Sequence, residues 1–434
     1  MPSSGGTQKK RVAIACQGGG SHTAFTAGVL KRLFAADDLT DYEVVALSGT
    51  SGGAVCALLV WSAFVDRDSA QASPRLEQFW NDNAATGPVD AMLNAWMLWA
   101  AELENLGLMP TVSPYHSPAS VIGADQFRQL LRQHVDFDRI DVNEARESPV
   151  LLLGAVDVLS GRFRVFNSHR ERITADNVLA SAAIPNLFRA VQLDDGAYWD
   201  GLFSQNPPVH DLLGAEPDEL WVIQVNPQQR DGEPTTLAEI ADRRNELAGN
   251  LSLYQELNFI ETIDGLLESG QLQSSGKYKQ IIVRIVELSR SGLPGRLGAT
   301  SKLDRDPQFL GDLMSHGQQQ AEEFLAALAF ETAWRDGNID GIIELFAAEA
   351  TIVSEPPFLR QGKHHGVSAI RQFVGEQLSG TIRLDLTHKQ VARERVTWAL
   401  RLRQHGDVDA VGQAEAEFVA GRVTELRLGP LPSS

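Results

Sequence analysis

Cysteine is nearly absent from this chain: 434 residues carry two, Cys16 and Cys56, each inside a small apolar stretch. Two thiols exclude a disulfide framework and a four-thiolate zinc site, and they read as buried structural cysteines. Long hydrophobic runs are missing too. No stretch approaches the roughly 18 apolar residues of a membrane-spanning helix. The apolar run after Lys9-Lys10-Arg11 covers only 12–16, too short for the core of a signal peptide. A reducing, cytoplasmic setting is therefore expected, at most peripheral to a membrane. Positive charge is in deficit as well, since 38 Lys and Arg against 56 Asp and Glu leave a formal net charge of −18. Such a surface is repelled by nucleic acid and by anionic leaflets, so no nucleic-acid partner is expected.

What remains is apolar and alternating. A hydrophobic content of 43% over this length allows a sizeable core and suggests two or three domains. Residues 1–10 are polar and expected to be disordered. Short runs rich in Val, Ile and Leu at 11–16, 43–48, 149–156, 219–225 and 279–286 read as buried strands. Segments with helical period, such as 24–34, 52–65 and 125–134, lie between them. This alternation predicts an α/β layered domain with a largely parallel central sheet flanked by helices, over 11–325. A further strand at 162–166 is expected to pair with its predecessor by a hairpin. Residues 306–334 read as one or two helices. Beyond them a turn at Asp336-Gly337-Asn338, a short helix at 342–348 and strand runs at 350–353, 381–386, 395–403, 410–419 and 422–428 predict a separate α+β domain over 326–430.

The chemistry-bearing pattern of the first domain is Gly49-Thr50-Ser51-Gly52-Gly53, set between the strand 43–48 and an apolar helix. That is the strand-turn-helix context of a nucleophile elbow. The serine must take strained dihedrals on a tight turn, so Gly49 and Gly53 keep its flanks free of Cβ atoms. The helix that follows points its N-terminus, beginning at Gly52, toward a developing oxyanion.

A second element, Gln17-Gly18-Gly19-Gly20-Ser21, lies between the first strand and the next helix. Successive backbone N–H groups of Gly18, Gly19 and Gly20 make a concave array suited to a negative oxygen. A mononucleotide loop would need a lysine after the last glycine, where Ser21-His22-Thr23 stands, and a dinucleotide fingerprint needs another glycine spacing. An oxyanion hole fits better, with a plain tight turn as the bland alternative. A nucleophilic serine also needs a base. Two Asp-Gly pairs compete for that role, Asp195-Gly196 and Asp200-Gly201, downstream of Ala180-Ser181-Ala182-Ala183-Ile184-Pro185-Asn186-Leu187-Phe188.

Taken together these residues resemble the patatin-like phospholipase family, which combines a glycine-rich loop, a G-x-S-x-G elbow, an A-S-x-A-x-P-x-x-F segment and an Asp-Gly pair followed by Asn and Pro. All four stand here in that order, over about 10–325. The resemblance implies a Ser-Asp dyad without histidine, with Ser51 as nucleophile and Asp200 as base, because Asn206-Pro207 follows Asp200-Gly201 at the family distance. Asp195 is the fallback. It further implies two-step acyl transfer on lipid-like esters, with the Gly18–Gly20 loop and Gly52 holding the oxyanion and no cofactor or metal. One departure is His22-Thr23, where many members carry a basic residue and a glycine; His22 reads first as a helix-capping or solvent residue.

Two further readings complete the picture. The stretch 89–100, with Met92, Trp96 and Trp99 on one face, reads first as core, and otherwise as a membrane interface or acyl-chain groove. From about Leu325 the chain resembles the SnoaL-like cone-shaped α+β barrel family, through Trp334-Arg335-Asp336-Gly337-Asn338, Leu345-Phe346-Ala347-Ala348-Glu349-Ala350 and Gly366-Val367-Ser368-Ala369-Ile370 with Phe373. That resemblance implies a ligand pocket or homodimer surface, with His364, His365, Asp407 and Glu415 as polar candidates and no recognisable catalytic pair. Against the dyad stand two alternatives, a Ser-Asp-His α/β-hydrolase using His210 or His316, and a non-catalytic lipid-binding scaffold.

Overall fold

In the computed structural model of this protein, the described residues are 9–35, 39–105, 112–230, 232–275, 278–289, 297–356, 360–379, 383–392, 395–404 and 407–430. The disorder expected for 1–10 therefore falls almost wholly outside them, as does the start of the strand expected at 381–386.

The chain folds as two units, Met1–Ile281 with Arg290–Gln318, and Ile282–Ser289 with Gln319–Ser434. In the first, β1 (Lys10–Cys16), α1 (Ala24–Leu33), β2 (Tyr42–Gly49) and α2 (Gly52–Val65) follow in strict alternation. Helices α3 (Ala72–Asn83), α4 (Pro88–Asn105), α5 (Pro118–His134) and α6 (Val142–Arg146) then precede β3 (Val150–Asp157). The hairpin strand β4 (Phe163–Asn167), α7 (Ala175–Ala182), β5 (Val191–Leu193), β6 (Gly196–Asp200), β7 (Glu219–Gln224) and α8 (Leu237–Glu268) complete it. The sheet runs β7-β1-β2-β3-β6-β5, with β4 antiparallel on β3. Its four strands β7, β1, β2 and β3 are mutually parallel, the fold class expected from the alternation.

Val12 to Cys16 are wholly buried, as are Leu220 and Val222 of β7, because a parallel sheet covered on both faces leaves no strand face for water. Helix α2 is buried on nearly every side, Trp61 included, so it carries apolar residues all round rather than a single stripe.

Register decides where the chemistry can sit. Cys16 lies opposite Gly49 on β2 and opposite Ile223 on β7, so β1 and β2 end side by side. The loops that leave these adjacent carboxyl ends, 17–20 and 49–53, lie against each other, so that a Cβ on Gly18 would stand 2.9 Å from that of Ser51. Farther along, Gly49 pairs with Leu153 of β3 and Ala155 pairs with Asp200 of β6. Asp200 thus stands two residues beyond the level of Gly49, which is the level of Ser51.

The second unit begins with β8 (Ile282–Glu287), the strand expected at 279–286. Helix α9 (Pro307–Arg335) is one continuous helix within which the division between units falls. Then come α10 (Ile339–Glu344), β9 (Phe346–Ser354), β10 (Gly362–His365), α11 (Gly366–Ser379), β11 (Arg383–Ala392), β12 (Arg395–Gln404), β13 (Asp407–Val419) and β14 (Arg422–Pro430). Its sheet runs β10-β9-β14-β13-β12-β11-β8, mostly antiparallel, with β8 parallel to β11 and β9 parallel to β14. The short helix expected at 342–348 stops at Glu344. From Phe346 the apolar positions Phe346, Ala350 and Ile352 are buried, and the period-two alternation at the strand's end wins over helix propensity.

A buried ion pair ties this unit together. Arg284 of β8 meets Glu331 of α9 at 2.7 Å, and the Trp398 indole N–H of β12 donates to the same carboxylate at 2.8 Å. Of the polar candidates, His364 is buried against Phe373, and His365 is exposed beside Thr351 and Glu349. Glu415 pairs with Arg395, and Asp407 begins β13.

Candidate active site

Ser51 has φ 58° and ψ −130°, a left-handed conformation held by a residue with a Cβ, at the N-cap of α2. Such backbone costs about 1–3 kcal/mol and persists only where the surroundings enforce it. The enforcement is visible. The Ser51 N–H donates to the Ser181 carbonyl at 3.0 Å and reaches its hydroxyl at 3.2 Å, and that hydroxyl donates to the Gly154 carbonyl at 2.7 Å. Thr50 Oγ1 donates to the Gln205 carbonyl at 2.7 Å. A Cβ on Gly49 would stand 2.4 Å from the Gly53 carbonyl oxygen, and one on Gly53 would stand 2.3 Å from that of Cys16. The elbow can close only with glycine at both positions.

Asp200 ends β6 and is almost wholly buried. Its N–H donates to the Ala183 carbonyl at 3.0 Å, and Oδ1 accepts the Leu202 N–H at 2.8 Å. Oδ2 is buried without a partner of full hydrogen-bond geometry, while the Ser51 hydroxyl approaches closely enough to favour the carboxylate. Burial dominates nonetheless. It pushes the carboxyl up to about 7, against the lowering pull of the Leu202 N–H, the Ser51 hydroxyl and the charge of Lys302. Residues 181 and 183 thus hold the backbones of Ser51 and Asp200 through two carbonyls only two residues apart. Sequence reading had marked that segment only as a family signature.

The glycine loop is held from a distance. The Gly18 N–H donates to Asn206 Oδ1 at 2.7 Å, while the Gly18 carbonyl accepts from the amides of Asn226 at 3.3 Å and Asn206 at 3.4 Å. The N–H of Gly18 is therefore spoken for, and this glycine supports the loop. Among the described residues the N–H groups of Gly19, Gly20 and Gly52 engage no acceptor. Gly20 has φ 58°, and a Cβ there would lie 2.2 Å from the Lys302 carbonyl oxygen.

His22 and Thr23 do not disturb this loop. Thr23 sits in ordinary right-handed backbone and its hydroxyl donates to the Gly20 carbonyl at 2.6 Å, so no glycine is needed there. His22 is buried, with Nε2 2.8 Å from Ser301 Oγ, which corrects the solvent or capping role expected for it.

The other candidates lie elsewhere. Asp195 is exposed in the β5–β6 turn and pairs with Arg164 at 3.3 Å. The His210 ring packs on Phe259 and the His316 ring on Phe25, and neither bonds Ser51 or Asp200 among the described residues. Lys302 and Asn226 were not anticipated. Neither belongs to a motif, and only the fold brings them to the loop.

Helix α4 overturns the core reading of 89–100. Met92 is 74% exposed, Trp96 57% and Trp99 58%. Its polar residues face the protein instead: Asn94 is buried, donating to Asp304 Oδ1 at 2.8 Å and accepting the Arg305 N–H, and Asp90 pairs with Arg305. The helix is anchored by polar groups and leaves its large apolar ones in water. Among the described residues no helix is long and apolar enough to cross a membrane.

Residues 14–213 match the family model described as patatin-like phospholipase, a match that supports lipid acyl hydrolase activity at the level of the family. No curated protein matches the chain. Among solved structures, an NTF2-like protein of unknown function from Mesorhizobium loti is 21% identical, covering 26% of this chain and 92% of that one, with a TM-score of 0.24. Bal32a, from a soil-derived mobile gene cassette, is 23% identical over 25% of this chain and 89% of its own, at 0.23. An NTF2-like protein from Burkholderia xenovorans is 16% identical over 25% and 87%, at 0.21. Scores this low bear on neither fold nor function.

Proposed function

We propose that this protein is a serine acyl hydrolase of the esterase or phospholipase type, acting on lipid-like carboxylic esters through Ser51 and Asp200. The observation that carries the reading is a serine strained to φ 58° at the head of a buried helix, beside a buried carboxylate pushed up to about 7. A carboxylate of ordinary acidity is a feeble base near neutral pH. One tuned to about 7 is matched to the task.

In the first half-reaction Asp200 takes the Ser51 proton as Oγ bonds the acyl carbon. The carbonyl oxygen becomes an oxyanion, received by the free N–H groups of Gly19, Gly20 and Gly52 at the positive end of α2. The ester C–O bond breaks, and Asp200 returns the proton to the departing alkoxide. Water then attacks acyl-Ser51 by the same route, releasing the acid. Gly18, Gly49 and Gly53 shape the two turns. The exposed face of α4, which has no charged residue between Asp90 and Glu102, suits contact with a lipid surface of neutral headgroups.

A fluorophosphonate probe tests this directly, alongside hydrolysis of p-nitrophenyl esters and a phospholipid panel. Wild-type protein is expected to label and turn over, and Ser51→Ala to lose both. A folded wild type that neither labels nor hydrolyses would overturn the reading in favour of a lipid-binding scaffold.

A further inference from the structure

The segment between Gln17 and Ala24 carries no lysine or arginine, yet a lysine reaches the glycine loop from nearly three hundred residues downstream. Lys302 Nζ donates to Asn226 Oδ1 at 2.8 Å. An ammonium can only donate, so it fixes which end of the Asn226 amide faces it. The opposite end, Nδ2, must then turn to the Gly18 carbonyl, where it stands at 3.3 Å. The backbone N–H of Asn226 is pinned in turn by Gln17 Oε1 at 2.8 Å, so the residue is held from both sides.

We propose that Lys302 is a positioning residue of the acyl-transfer site: by orienting the Asn226 amide it holds the Gly18 carbonyl and thereby aims the N–H groups of Gly19 and Gly20 at the oxyanion. The inference rests on the acyl-hydrolase reading above. A lone asparagine at this position could rotate its amide and present its oxygen to the Gly18 carbonyl, where two acceptors would repel. The ammonium removes that choice. Its charge also acts on Asp200, favouring the ionised form that accepts the Ser51 proton, in company with the Leu202 N–H and the Ser51 hydroxyl. The packing against Gly20 involves the Lys302 carbonyl oxygen, so replacing the side chain leaves that contact in place.

The experiment compares ester turnover by wild type, Ser51→Ala, Lys302→Met, Lys302→Arg, Asn226→Leu and the Lys302→Met/Asn226→Leu double variant, with thermal unfolding of each. Lys302→Met is expected to lower kcat on the order of tenfold, less than outright loss of an oxyanion donor, with KM little changed. Lys302→Arg, which can donate to the same oxygen, is expected to recover most of the loss. The double variant should fall no lower than Asn226→Leu alone, since both changes break one chain. Wild-type kcat in Lys302→Met, or losses that multiply in the double variant, would overturn the proposal. So would a loss that follows unfolding temperature and is not recovered by arginine. Wild type no better than Ser51→Ala would instead refute the acyl-hydrolase reading itself.

Discussion

Asp200 and Glu331 are both carboxylates drawn out of water, one in each unit, and their company differs. Glu331 receives a guanidinium at 2.7 Å and an indole N–H at 2.8 Å. Asp200 receives one backbone N–H, keeps Oδ2 without a full hydrogen bond, and rises to about 7. A satisfied buried charge is costly to disturb, because losing its partner strands it away from water. An under-supplied one is poised to take a proton, which is why strongly shifted groups gather at reactive sites.

If that contrast is right, removing a partner in the second unit should cost stability. Arg284→Met strands Glu331 in a largely buried place and is expected to destabilise the second unit by about 3–5 kcal/mol, read by urea denaturation. A loss within experimental error would mean that Glu331 escapes to solvent, and the contrast would collapse.

The sequence carried those parts of the site whose constraints are local. A strand, two tight glycines and an apolar helix suffice to mark Ser51, because the elbow's strain and its Cβ clashes arise within five residues and the strand beside them. Asp200 needed the family resemblance, since nothing local separates Asp200-Gly201 from Asp195-Gly196. The β3–β6 register is what sets one beside Ser51 and the other in an exposed turn. Lys302 and Asn226 were illegible, because their role depends on distant segments meeting. Helix α4 misled for a related reason. Its composition is that of a core helix, but the polar ladder through Asp90 and Asn94 to residues 304 and 305 decides which side turns inward.

The smaller prediction reverses the sign of the first. The folded state raises the Asp200 pKa from 3.8 to about 7, so it favours the protonated form. Its contribution is most favourable below the unfolded value, near pH 4, and is lost progressively as pH rises to about 7. Asp200→Asn is therefore expected to stabilise the first unit at pH 8, on the order of 2–4 kcal/mol, and to have little effect near pH 4. Thermal unfolding at the two pH values checks it. Destabilisation at pH 8 would mean that Asp200 is a satisfied structural charge like Glu331.

The most direct measurement is ester turnover by wild type and Asp200→Asn from pH 5 to 9. The dyad predicts that wild-type kcat/KM rises about tenfold per pH unit below an inflection near 7 and then levels. It predicts that Asp200→Asn is slower by on the order of 10³-fold and shows no such inflection. An Asp200→Asn enzyme that keeps both the wild-type rate and the inflection would contradict the account, whatever Ser51 proves to do.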